Sequence, residues 1–151
     1  ENKVVELTNG DILMHARAAP ARRQAVSPDG LTFTEPTPVP TLTDPACNGG
    51  LCRWGDTLVA SMCDHPEERG RLCLHLSDDD GITWGPAVSI DTGATAYSVL
   101  APVDDDTLAI AWEADDYRTI QFARITCGET ITPRVGEGQW AKPPVVNPSG
   151  K

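Results

Sequence analysis

Residues 77–84 read Ser77-Asp78-Asp79-Asp80-Gly81-Ile82-Thr83-Trp84, a short polar turn set between two runs that look like paired strands. Before it comes the apolar run Arg71-Leu72-Cys73-Leu74-His75-Leu76, and after it Trp84 restarts the apolar side. An aspartate in such a turn accepts bonds from nearby backbone amides, and the glycine is free to take positive φ. The tryptophan that follows can fold back over the hairpin and bury a large area. A turn of this kind commits the chain to antiparallel strand pairs, and the rest of the sequence falls into register around it.

From the start, residues 2–7 lead to Asn9-Gly10, a strong hairpin signal, and residues 12–17 read as the returning strand. Residues 22–27 form a third strand that runs into Asp29-Gly30-Leu31-Thr32-Phe33, a degenerate second copy of the turn in which Ser27 stands one residue too close to Gly30. Two copies about 50 residues apart point to repeated units rather than a single sheet. Residues 35–45 hold Pro36, Pro38, Pro40 and Pro45, so an extended connection is expected there and not a ladder strand. Gly55-Asp56 and Asp104-Asp105-Asp106 mark two more hairpin tips, flanked by 51–53 with 57–63 and by 97–103 with 108–113. Residues 120–125 alternate polar and apolar, as a half-buried strand should. No helix of useful length is signalled, and roughly nine or ten short strands joined by tight turns make the chain all-β. After Cys127 the pattern fades, and Pro143-Pro144 with 147–150 read as a tail or linker.

The 151 residues suffice for one ordinary domain with a core, and 40% hydrophobic with 23% charged residues describes a globular chain. No apolar run approaches the roughly 18 to 20 residues that span a membrane. A net charge of −10 argues against a nucleic-acid partner, since affinity for phosphate backbones needs clustered lysine and arginine. It does not exclude a small anionic ligand, which needs only a few well-placed arginines. The five cysteines (Cys47, Cys52, Cys63, Cys73, Cys127) show no metal-like spacing, and Cys63 and Cys73 lie in strand-like runs that suit buried thiols. His15, His65 and His75 are too scattered for a metal site, and the run Asp78-Asp79-Asp80 lacks the alternating ligands and distal glutamate of a calcium loop. Neither a metal nor another cofactor is expected.

The pattern Ser-x-Asp-x-Gly-x-Thr-Trp has the form of the Asp box, a hairpin repeat of β-propellers. Four further places carry a narrower likeness: residues 1–7 followed by His15-Ala16-Arg17, the run Arg69-Gly70-Arg71-Leu72 ahead of the box, Ala96-Tyr97-Ser98-Val99-Leu100, and Ala111-Trp112-Glu113. Together they closely resemble the bacterial exo-sialidases (neuraminidases), in the family's order from Glu1 to about Ile125. The resemblance implies a six-bladed β-propeller with its site at the central opening. At about 50 residues per blade this chain covers about three blades. Residues 1–128 are then expected to be the C-terminal half of the catalytic domain, with 129–151 the tail or linker. Half a propeller leaves open sheet edges, so a missing N-terminal half is expected in the same or a companion chain, and an opening on Glu1 without methionine suggests a cut or processed piece. The family is often secreted or surface-attached, which makes that the expected location.

Carried over residue by residue, the resemblance makes Tyr97 the nucleophile and Glu1 the base that takes its phenolic proton. Arg17 and Arg69 become two of the three arginines that clamp the sialic acid carboxylate. The first arginine of that triad and the aspartate acid/base lie earlier in family sequences and have no counterpart here. Glu6 competes with Glu1, but five residues along a regular strand places the two on opposite faces. Arg22, Arg23 and Arg71 are the alternative arginines, Arg71 sharing a face with Arg69 if the strand is regular. Asp79 and Gly81 belong to the hairpin, while residues 44–50 resemble a loop near the family pocket and read equally well as a turn.

The chemistry explains the residue types. Sialic acid carries a carboxylate on its anomeric carbon, so a carboxylate nucleophile would approach against a like charge, and a neutral phenol avoids this. A phenol is nearly all protonated at neutral pH, so it needs a hydrogen-bonded carboxylate to take the proton as attack occurs. A covalent tyrosyl intermediate implies two displacements and net retention. Arginine suits the clamp because its planar fork bonds both carboxylate oxygens. The resemblance thus implies a retaining exo-α-sialidase acting on sialylated glycoconjugates. A trans-sialidase would use the same residues, and a non-catalytic propeller module would keep the boxes while discarding the reactive set.

Overall fold

A computed structural model of the chain describes residues 1–126 and the backbone of Gly136–Gly138. The expected tail from residue 129 lies outside the described residues apart from that short segment. The described chain contains strands and turns and no helix. β1 (Asn2–Glu6), β2 (Ile12–Ala16), β3 (Ala21–Ser27) and β4 (Thr37–Thr43) form a first four-stranded sheet in chain order. β5 (Leu51–Trp54), β6 (Thr57–Cys63), β7 (Leu72–Ser77) and β8 (Val88–Asp91) form a second. β9 (Thr95–Asp104), β10 (Thr107–Ala114), β11 (Thr119–Thr126) and β12 (Gly136–Gly138) form a third. Every pair is antiparallel. The first strands of the sheets lie side by side, β1 against β5 and β5 against β9, so the three sheets share one inner end.

The proline-rich stretch corrects the sequence reading. Residues 37–43 are a ladder strand after all, pairing with β3 through Ala21↔Thr43, Arg23↔Pro38 and Gln24↔Thr37. β4 is the outer edge of its sheet, where Pro38 and Pro40 can turn their missing N–H away from the ladder, and the register shift between Ala21 and Arg23 absorbs the irregularity.

The second sheet is buried on both faces, which is why β6 lacks the alternation of a surface strand. Leu58, Ala60 and Met62 pack with Leu13 and Leu42 of the first sheet, while Val59 packs with Leu100, Leu108, Ile110 and Trp112 of the third. Each leucine, isoleucine, valine or methionine among them contributes roughly 1.5–3 kcal/mol when taken out of water. β10 alternates instead, burying Leu108, Ile110, Trp112 and Ala114 on one face only.

The 77–84 turn is closed by its own polar groups. Ser77 Oγ donates to Asp79 Oδ1 at 2.8 Å and accepts from the Gly81 amide at 2.8 Å. Asp79 in turn accepts from the Thr83 amide at 2.8 Å and from the Thr83 hydroxyl at 2.6 Å, which holds its carboxyl below the usual carboxylate range. Gly81 has φ 83°, and a Cβ there would stand 2.8 Å from Leu13 Cδ2, so both backbone conformation and space demand glycine. Trp84 folds back as expected, 7% exposed, with its ring centroid 5.1 Å from that of His15 on the neighbouring sheet. The degenerate turn keeps the aspartate cap: Asp29 Oδ1 accepts from the amides of Leu31 at 2.9 Å and Thr32 at 2.8 Å.

Candidate functional site

Four side chains meet at the shared inner end, and each sheet contributes to the meeting. The β1–β2 pairing that sets Asn2 opposite Ala16 continues one step further, the Arg17 amide donating to the Glu1 carbonyl at 3.3 Å. Glu1 and Arg17 are therefore cross-strand neighbours, and their side chains form an ion pair. Opposite charges at that spacing hold the exposed strand end in one geometry.

Tyr97 comes from the third sheet. Near the start of β9 the ladder pairs Trp112 with Ser98 but Ala114 with Thr95, so Ala96 and Tyr97 both face Glu113. This is a β-bulge, which bends a strand and re-aims a side chain. Glu113 secures it, its Oε2 accepting from the Tyr97 amide at 3.2 Å. The re-aimed phenol donates to Glu1 Oε1 at 2.8 Å and accepts from Arg17 Nη1 at 3.1 Å. The hydrogen bond from Tyr97, then the bond and charge of Arg17, hold the Glu1 carboxyl below its ordinary range, which favours its ionised form. Arg17 is pushed further up, first by its bond to Tyr97 and then by Glu1.

Arg69 comes from the loop that joins β6 to β7 in the second sheet. Its guanidinium carbon lies 5.3 Å from the centroid of the Tyr97 ring, a cation–π distance, and its Nη1 donates to Tyr117 Oη at 2.9 Å. The strand expected to hold Arg69 and Arg71 on one face does not begin until Leu72. Gly70 and Arg71 both take positive φ, at 159° and 52°, so the two arginines part and Arg71 is exposed. Glu6 faces Ile12 at the far end of the β1–β2 ladder and takes no part.

Loop 44–50 is more than a surface turn. Arg22 is 1% exposed and pairs with Asp44, 0% exposed, at 2.9 Å, and its Nη2 donates to the Cys47 carbonyl at 3.0 Å. Asp44 Oδ1 accepts from the Cys47 amide at 2.8 Å. A Cβ on Gly49 would stand 2.0 Å from the Ser61 carbonyl oxygen, and one on Gly50 2.8 Å from Leu100, so the loop backbone lies hard against β6 and β9. The Asn48 carbonyl accepts from the Ser98 amide at 3.3 Å, one residue from Tyr97. Arg22, named among the alternative arginines, is thus a buried strut that props the loop under the site.

Sequence reasoning missed Tyr117 and the buried Arg22–Asp44 pair. Tyr117 sits in a turn where Asp115, Asp116 and Tyr117 all have positive φ, at 50°, 55° and 65°. Successive left-handed non-glycine residues are costly and carry no glycine to announce them. Cys63 and Cys73 are buried free thiols, and Cys47 packs with Cys63 and Ala96 beneath Tyr97.

No family model matches the chain. Among curated proteins, the sialidase of Micromonospora viridifaciens is 29% identical over 127 residues, which is 75% of this chain and 20% of that protein. Among solved structures, the Hadza microbial sialidase Hz136 superposes with a TM-score of 0.75 at 27% identity, covering 84% of this chain and 27% of the other. The chain is similar to a fragment of the bacterial sialidases. It spans about a fifth of the length of the curated sialidase it matches. The fold extends to the intramolecular trans-sialidase of Ruminococcus gnavus, with TM-score 0.72, 15% identity and coverage of 87% and 33%. It extends also to the leech intramolecular trans-sialidase, with TM-score 0.69, 17% identity and coverage of 87% and 24%. The three sheets match part of a sialidase β-propeller, as three of its blades.

Proposed function

We propose that this chain supplies the nucleophile side of a retaining exo-α-sialidase site. The observation that carries the reading is the hydrogen bond from Tyr97 Oη to Glu1 Oε1 at 2.8 Å, between residues 96 positions apart. Tyr97 attacks the anomeric carbon of a terminal sialic acid while Glu1 takes the phenolic proton, so the phenol enters without facing the substrate carboxylate as a like charge. Arg17 and Arg69 bind that carboxylate, and the bond of Arg69 to Tyr117 fixes its fork while leaving other donors free. Water then attacks the anomeric carbon and gives its proton to the aspartate of the remaining blades, while the bond from the sugar to Tyr97 breaks and Glu1 returns its proton to the phenol. The departing sugar oxygen takes its proton from an aspartate that has no counterpart here, so the remaining blades, in the same or a companion chain, supply it with the third arginine. The 77–84 turn, read as an Asp box, serves the blade and not the chemistry.

The test starts from intact mass and chain composition of the native protein, followed by turnover of a fluorogenic sialoside by wild type and Tyr97→Phe. Loss of at least about a thousandfold in kcat is expected, since removing a nucleophile removes the covalent route. Retention of turnover within tenfold would overturn the role of Tyr97. Binding of sialosides without turnover by the complete wild-type protein would leave a recognition module in place of an enzyme.

A further inference from the structure

On the face of the second sheet that packs toward the first, Asp64, Cys73 and His75 bring one carboxylate oxygen, one sulfur and one imidazole nitrogen within 4.8 Å of one another. The strand register explains the cluster. Cys73 and His75 are two residues apart on β7 and so share a face, and Asp64 follows β6 at the end where its amide bonds the Arg71 carbonyl at 3.0 Å. None of the three takes part in the site around Tyr97.

We infer that Asp64, Cys73 and His75 form a binding site for a single zinc-class divalent transition metal, held between the ends of β6 and β7. Three observations support this. His75 is 3% exposed, and its Nδ1 must donate to the Gly85 carbonyl at 2.8 Å, because a carbonyl only accepts. Its other nitrogen, Nε2, is then a lone-pair donor, and it is buried without any partner. An unsatisfied buried imidazole nitrogen costs stability unless something binds it, and an Nδ1–H fixed on a backbone carbonyl is the usual support of a metal-binding histidine. Secondly, Asp64 is itself oriented, since Thr43 Oγ1 donates to its Oδ1 and leaves Oδ2 free. Thirdly, the donor set is one sulfur, one nitrogen and one oxygen. That combination suits zinc and its neighbours, and does not suit calcium or magnesium, which take oxygen ligands.

The geometry requires little change. Bond lengths of about 2.0–2.3 Å at tetrahedral angles put ligand atoms roughly 3.3–3.7 Å apart, so a closure of about 1 Å completes the site. Cys73 and His75 are buried while Asp64 is half-buried, so entry and a fourth, water ligand belong on the Asp64 side. Cys73 Sγ now donates to the Met62 carbonyl at 3.5 Å, and burial, then Asp64, pushes its thiol up to about 12, so binding the metal displaces that proton. The cluster takes one of the three histidines and joins it to residues of other types, which a search for histidine spacing passes over.

The test uses the full chain stripped with a chelator and titrated with cobalt(II), then zinc(II). One cobalt per chain with a thiolate-to-cobalt charge-transfer band, displaced by zinc, is expected. Cys73→Ser should lose the band with unchanged circular dichroism, Cys63→Ser should keep it, and Thr43→Val should weaken cobalt binding about 10–100-fold by freeing Asp64. Should Cys73→Ser fail to fold, Asp64→Asn at the half-exposed end serves, with loss of stoichiometric binding expected. A wild type without a band, a band that survives Cys73→Ser, or undiminished binding by Asp64→Asn would each overturn the site.

Discussion

Two arginine–carboxylate pairs stand a few residues apart in sequence and do opposite things. Arg17 with Glu1 is open, its side chains 30% and 42% exposed, and it adds a phenol as a third member. Arg22 with Asp44 is closed, at 2% and 0%, and its remaining hydrogen bonds go to the backbone around Cys47. The first pair leaves a carboxylate facing a phenol and solvent, so its groups can change partners when a ligand arrives. The second has its charges desolvated and locked, so it holds a loop still. Both join an arginine to a carboxylate, and environment assigns the role.

Breaking the closed pair should cost most. Asp44→Ala leaves a buried guanidinium without its counter-ion and is expected to destabilise the chain by about 3–5 kcal/mol in chemical denaturation. Breaking the open pair with Arg17→Ala should leave the denaturation midpoint almost unmoved in the same assay, since exposed pairs contribute little. Equal losses for the two variants would remove the distinction.

Acid should act on the closed region next. Burial first, then the charge of Arg22, pushes His15 down to about 3 from an ordinary value near 6.5. Its folded pKa lies below its unfolded one, so its contribution is fully present above about pH 6.5 and is lost as pH falls from there toward 3. The expected loss is on the order of a few kcal/mol, read as a falling denaturation midpoint, and His15→Gln should flatten that part of the profile. A wild-type profile flat from pH 6.5 to 4 would show that His15 is not held neutral.

The hairpin skeleton was legible because turns announce themselves. Asn9-Gly10, Gly55-Asp56 and the serine-to-tryptophan turn each carry residues whose local chemistry dictates the bend, and the strands between them came out in place. β4 was illegible because proline forbids a central strand and not an edge one, and edge position is a property of the assembled sheet. The site divided in the same way. Glu1, Arg17, Arg69 and Tyr97 could be named from family likeness, but their meeting depends on a bulge that sets two residues against Glu113, and pairing register is not written in any short motif. Arg22 was unreadable because an arginine is usually exposed, and the aspartate that makes its burial tolerable lies 22 residues on.

The smallest effects would sharpen the open pair itself. Arg17→Lys keeps the charge and loses the fork, so in the protein carrying the remaining blades it should weaken binding of a sialic acid inhibitor about tenfold with little change in stability. Arg71→Ala, which removes an exposed arginine with no place at the site, should leave the inhibitor constant within twofold, or roughly 0.4 kcal/mol. The titration of Glu1, followed by carboxyl NMR, separates the two partners of that residue. The bond from Tyr97 is the largest single influence and lysine keeps the charge at position 17, so Tyr97→Phe should raise the Glu1 pKa more than Arg17→Lys does. The reverse order would mean that Glu1 serves the arginine first and the phenol second, and the base assigned to Tyr97 would have to be sought elsewhere.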